Sequence, residues 1–222
     1  MRRSVFDWRQ TGCPRKRHTE LLALLAVALS LPGVSAVSAQ SRQSEPLTAA
    51  VNAGTVTAIF RGLGVSSGYA VQVTVRKTPK AGAGTLVLSL PAGTQLRSTS
   101  GEVQNMVIAR VRGRMIDDTS FTPTSDLVVS GPEPVTYVLE AYCSEFEKDN
   151  PSGSSVFALS SLHPGLACIL REGRGLSTEA MQAAVWIHTD RVTYAGINTK
   201  FTVTSTDWAQ AQAVAGKCPR EE

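Results

Sequence analysis

The sequence predicts a β-rich α+β protein: an antiparallel, Ig-like β-sandwich followed by a smaller helical C-terminal part. Three observations carry this. Residues 47–143 repeat short apolar runs of period two, as where Val71, Val73 and Val75 alternate with Gln72, Thr74 and Arg76. Gly and Pro clusters at 61–64, 80–84 and 131–134 punctuate those runs. After Cys143 the texture shifts to turns and helical patterns. About six short strands with turns between them fit a sandwich or a barrel, and we take the sandwich.

In chain order, residues 1–39 read as a secretory signal. The apolar run LLALLAVALSL at 21–31 follows a basic stretch and is too short to span a bilayer. Small residues then precede Gln40, which places cleavage between Ala39 and Gln40. Residues 40–46 are polar and read as a flexible tether. Strand patterns follow at 55–60, 71–75, 86–90, 105–113, 126–130 and 135–143, within a β-sandwich region spanning 47–143. Residues 144–222 form a helix-containing region packed on it. A short helix is expected around Leu166 to Leu170. The clearest helix is STEAMQAAVWIHTD, capped by Ser177, with Glu179 at the positive end of its dipole and Leu176 set to staple against Met181. It is nearly apolar all round, the pattern of a buried helix. A strand from Lys200 to Thr204 and a final helix from Asp207 to about Ala215 complete the pattern.

The charge balance argues against nucleic acid as a partner. The whole chain carries 22 Lys and Arg against 18 Asp and Glu, a net charge of +4. Six of those basic residues and two of the acidic ones fall in the signal, so the mature chain has 16 of each. No basic stripe with interleaved aromatics remains. No second apolar run approaches membrane-spanning length, so the mature chain has no transmembrane segment. The expected location is the periplasm, the cell surface or the medium, and an extracellular or envelope macromolecule is the expected kind of partner.

Few residues carry chemistry. Gly64-Val65-Ser66-Ser67-Gly68 spells a nucleophile elbow, but strand patterns on both sides make it a hairpin loop. His163 and His188 are read as structural or solvent-facing. Glu145, Glu147 and Asp149 form a weak calcium candidate, because carboxylates gather on a loop there without EF-hand spacing. No zinc spacing and no cofactor motif is present. Cys13 leaves with the signal, so Cys143, Cys168 and Cys218 remain, and three pairings are open. Cys168 with Cys218 is the expected bridge, because both lie in the helical part. Cys143 is then left over on the core face of its strand, with Tyr137, Leu139 and Ala141. Gln182 is the one amide inside the apolar helix, and it needs buried hydrogen-bond partners.

Tyr142-Cys143, read with Gln182-Ala183-Ala184-Val185-Trp186, resembles the pattern of bacterial thioester domains, also called TQXA-type domains, of surface adhesins. The resemblance implies a side-chain thioester between Cys143 and Gln182, shielded by Trp186 and open to capture of an amine. Met181 stands where that pattern has threonine, and the 39-residue interval from Cys143 to Gln182 is short for it. The function expected first is an exported, non-catalytic binding or surface-interaction protein. The alternative is a covalent adhesin-like module using Cys143 and Gln182, with a hydrolase built on Ser66 or Ser67 third.

Overall fold

The computed structural model describes residues 44–220. The signal expected at 1–39, Cys13 and the expected Ala39–Gln40 cleavage junction lie outside the described residues. Part of the expected tether is already structured: β1 (Glu45–Pro46) leads directly into α1 (Leu47–Asn52), which buries Leu47 and Ala50. β2 (Val56–Gly62) and β3 (Ser67–Lys77) form an antiparallel hairpin, with Val56 opposite Lys77 and Gly62 opposite Val71. In β3 the side chains of Val71, Val73 and Val75 are fully buried, whereas Gln72, Thr74 and Arg76 are not, as a period of two requires. There follow β4 (Leu86–Ser89), β5 (Thr94–Ser98), β6 (Met106–Met115), β7 (Phe121–Pro123), β8 (Leu127–Val129) and β9 (Val135–Cys143).

The expected sandwich is not formed. β10 (Val156–Leu162) lies between β2 and β5, and β5 also pairs with β6, so the order β2-β3-β9-β6-β5-β10 returns to β2. All six junctions are antiparallel, and the result is a closed barrel. The closing strand, VFALSSL, falls in residues expected to hold only loops and helices. Closure pairs the backbone groups that an open sheet would leave along two edges. β7 continues the sheet beyond β6, while β4 pairs with β1 and β8 in a separate three-stranded sheet. The Tyr137 hydroxyl joins the two sheets: it accepts the Val128 N–H at 2.7 Å and donates to the Val128 carbonyl at 2.6 Å.

The helices follow their sequence signals. α2 (Pro164–Glu172) begins at His163, whose Nδ1 accepts the Leu166 N–H at 3.2 Å. α3 (Thr178–Asp190) begins at Ser177, whose hydroxyl accepts the Ala180 N–H at 3.0 Å, and every residue from Ala180 to His188 is buried. α4 (Tyr194–Ile197) is a single turn, and α5 (Ser205–Ala215) is capped by Thr204. The strand expected from Lys200 to Thr204 does not form. The Val203 N–H instead donates to the Asn198 side-chain oxygen at 3.0 Å. Cys168 and Cys218 are bonded, as expected, tying α2 to the residues after α5. Barrel and helices share one continuous core, running from Leu47 to Cys218.

Two substitutions test this packing. Gly93 has φ +92°, and a Cβ there would lie 2.5 Å from the Ala167 Cβ of α2. Gly93→Ala is expected to cost about 2–4 kcal/mol in denaturant unfolding, from backbone strain plus the clash. Gly175→Ala, at φ +91° with nothing within 4 Å of the added carbon, should cost visibly less. Replacing Cys168 and Cys218 together by serine should remove about 2–4 kcal/mol, and a smaller loss in the same assay would show that other contacts hold α5 in place.

Candidate functional site

β9 runs between β3 and β6, but the two neighbours do not reach equally far. At Cys143 the β6 partner, Met106, is still in register, whereas β3 begins with Ser67, opposite Tyr142. α3 packs against β9 and β3 and brings a side chain to this strand end. The Gln182 side-chain oxygen accepts the Cys143 N–H at 3.0 Å, and its amide nitrogen donates to the Cys143 carbonyl at 2.8 Å. The Cys143 N–H is shared, since the Ser66 carbonyl also accepts it at 3.0 Å. A carboxamide thus pairs with one residue as a neighbouring strand would. Both residues are fully buried, and an unpaired amide at this depth would cost about 1–3 kcal/mol.

The Cys143 thiol is free and points at another sulfur, donating to Met106 Sδ at 3.3 Å. Burial pushes its pKa well up, and the Glu145 carboxylate adds to the shift. Glu145 is fixed by the Asn105 N–H at 2.8 Å and by Lys148 at 2.7 Å. The thiol is therefore held neutral, and a neutral thiol reacts poorly with solutes arriving from water.

One turn beyond Gln182, the Trp186 indole N–H donates to the Gln104 side-chain oxygen at 3.3 Å, and Gln104 in turn donates to the Asn150 side-chain oxygen at 3.0 Å. The Trp186 ring meets Phe146 and Phe201 edge-on, with centroids 5.2 and 5.4 Å away. These residues border a cavity of about 310 Å³. Sequence reasoning named Trp186 but missed Gln104, Phe146, Phe201 and Met106. No local motif marks them, because they come from separate parts of the chain.

The remaining candidates are not brought together. Glu147 pairs with Lys200 at 2.9 Å and Glu145 with Lys148, and among the described residues no group of three or more His, Cys, Asp or Glu gathers as a metal site. Ser66 and Ser67 lie at a strand-to-strand connection, so the strand-to-helix turn of a nucleophile elbow is not built. His163 caps α2, and His188 is buried in α3 with its ring 6.1 Å from that of His163. No helix among the described residues is long and apolar enough to cross a membrane. The fold and site together define a closed antiparallel barrel with a helical flank and a buried cysteine–carboxamide pair. No protein-family model, curated protein or solved structure matches the chain.

In the form with Cys143 as a free thiol, that thiol is expected to leave a signature in stability. Its folded pKa lies above the ordinary value of 9.0, so the folded chain keeps a proton that the unfolded chain releases. That contribution is fully present below about pH 9 and is lost as the pH rises further. Tyr137 and Tyr142, also raised by burial, act only beyond their ordinary value of 10.0. Unfolding free energy should thus begin to fall between about pH 9 and 10, and Cys143→Ala should remove that first part of the slope. An unchanged slope in the variant would mean that the thiol is not what titrates.

Proposed function

We propose that this chain is an exported surface-interaction protein, and that its working element is an internal thioester between Cys143 and Gln182. The observation that supports this most is the direct pairing of the two residues across 39 positions of sequence, in a site with no exposed surface. The pairing sets the carboxamide in line with the backbone groups of Cys143. Closure requires the Cys143 side chain to turn from Met106 Sδ, which its thiol meets at 3.3 Å, to the carboxamide carbon of the residue paired with its own backbone.

The chemistry balances within the pair. The sulfur attacks Gln182 Cδ, the C–N bond breaks, and ammonia departs with the thiol proton. The thioester is then an electrophile in a dry pocket, where hydrolysis is slow for want of water. A primary amine on a partner attacks the same carbon, the C–S bond breaks, the thiol is restored, and the partner is held by an amide at position 182. If the thioester does not form, the same buried pair has a structural role, and the chain binds its partner without a covalent step.

Intact mass decides between these. Closure lowers the mass by about 17 Da beyond the loss of about 2 Da for the Cys168–Cys218 disulfide, in a mature chain starting at Gln40. Methylamine should then add to the wild-type chain and to neither Cys143→Ala nor Gln182→Ala. A chain showing only the disulfide loss, with Cys143 alkylated stoichiometrically after unfolding, would remove the thioester and leave the non-covalent reading.

A further inference from the structure

A second cavity lies against the barrel wall and is lined by neither Cys143 nor Gln182. It measures about 250 Å³, between β6 and β9 on one side and the connection from α2 to α3 on the other. Successive side chains of a strand point to opposite faces, so Glu140 and Tyr142 leave β9 away from the core-facing Leu139 and Ala141. Tyr142, Leu170 and Met181, each 5% exposed or less, give the cavity an apolar wall that Leu176 extends.

The polar part of the lining holds more positive charge than it neutralises. Glu140 is the only carboxylate among the lining residues. It accepts from Arg110 Nε at 2.8 Å and from the Tyr142 hydroxyl at 2.9 Å, and Arg112 Nη1 stands 3.4 Å from the same oxygen that Arg110 meets. One carboxylate therefore serves two guanidinium groups. Arg110 uses only its Nε there, which leaves the two terminal nitrogens of its fork free for a ligand. Arg174, the third guanidinium, lines the cavity from between Gly173 and Gly175 and makes no ion pair among the described residues. Glu172, on the same segment, is already held by Arg171 at 3.1 Å.

Two incompletely used guanidinium forks beside an apolar wall match one kind of ligand. A carboxylate takes parallel N–H···O bonds from such forks, and an alkyl chain behind it gains from leaving water. A volume of about 250 Å³ lies just under the range usual for drug-sized ligands, about 300–1,000 Å³, so the occupant is a small molecule and not a polypeptide segment. We propose that this cavity binds a small amphipathic anion: a carboxylate bearing a short alkyl chain, with its head between Arg110 and Arg174 and its chain against Leu170, Leu176 and Met181. Glu140 anchors Arg110 by its Nε and leaves the rest of the fork to the ligand. Binding there requires no step at the Cys143–Gln182 pair.

The test titrates sodium hexanoate at neutral pH into the mature chain labelled with 13C at its methionine methyls, and follows the Met181 signal, assigned by its loss in Met181→Leu. Sodium acetate supplies the head without the chain, and hexanamide the chain without the charge. The expected result is a saturable shift with hexanoate and, at the same concentrations, little with either control. Arg110→Gln and Arg174→Gln should each raise the half-saturating concentration about ten-fold, the loss of one charge-assisted contact. Arg174 is exposed, so its variant should unfold at the wild-type midpoint, which keeps the test sound even where Arg110→Gln is unstable. No saturable shift, an equal response to acetate or hexanamide, or indifference to either substitution in a folded variant would overturn the site.

Discussion

The end of β9 is the point on which the rest of this structure turns. A closed barrel satisfies the backbone groups of its strands only where both neighbours are present, and β3 is already ending where β9 reaches Cys143. The Ser66 carbonyl still accepts the Cys143 N–H there, and the Gln182 carboxamide adds a second acceptor to that N–H and the side-chain donor for the Cys143 carbonyl. This fixes the rotation of α3, and with it the faces that α3 turns to α2 and α5. The same device recurs elsewhere on β9, where the Tyr137 hydroxyl both accepts from and donates to Val128 in the second sheet. Side chains thus complete the ladder at two places where strands do not.

Local signals in the sequence were legible wherever they were sufficient by themselves. The alternation of Val71, Val73 and Val75 needs only a half-buried strand, and the Ser177 cap needs only a following helix. The Cys168–Cys218 bridge was expected because both cysteines lie in the helical part, and that pairing left Cys143 over. What could not be read was closure. VFALSSL alternates weakly, with Phe157 and Leu159 turned inward and three polar or small residues between and after them, so it resembles a loop until β2 and β5 are seen to lack a partner. The misassigned strand at Lys200–Thr204 is the converse case: its apolar and β-branched residues suit a strand, but Val203 is buried by packing and its N–H is satisfied by Asn198.

The candidate site divides along the same line. Gln182 was visible because a lone amide in an apolar helix demands partners, and Cys143 because its parity placed it inside. Their pairing, once seen, explains each by the other. Gln104, Phe146, Lys200 and Phe201 carry no such demand in the linear chain. Each is an ordinary residue in a connecting segment or at a strand end, and the cavity they form exists only because the barrel and α3 bring these segments together. Loops held on a rigid scaffold are where binding residues commonly lie, which is also why they are hardest to find from one sequence.

The electrostatics of the buried pair constrain what it can do under either reading. A thiol with a raised pKa and a carboxylate nearby is poorly suited to act on diffusing substrates, because activation of a cysteine nucleophile calls for a lowered pKa and a positive environment. Reaction with a group held within the same buried site is a different matter, since an intramolecular step avoids the entropy of encounter and raises the effective concentration of a weak nucleophile. The carboxamide of Gln182 is the carbonyl derivative that the backbone of Cys143 itself holds. The environment that keeps the thiol inert towards solvent would also keep water from a thioester once formed. Under the thioester reading such a site would close once and capture once, and its raised thiol pKa argues against repeated turnover on diffusing substrates.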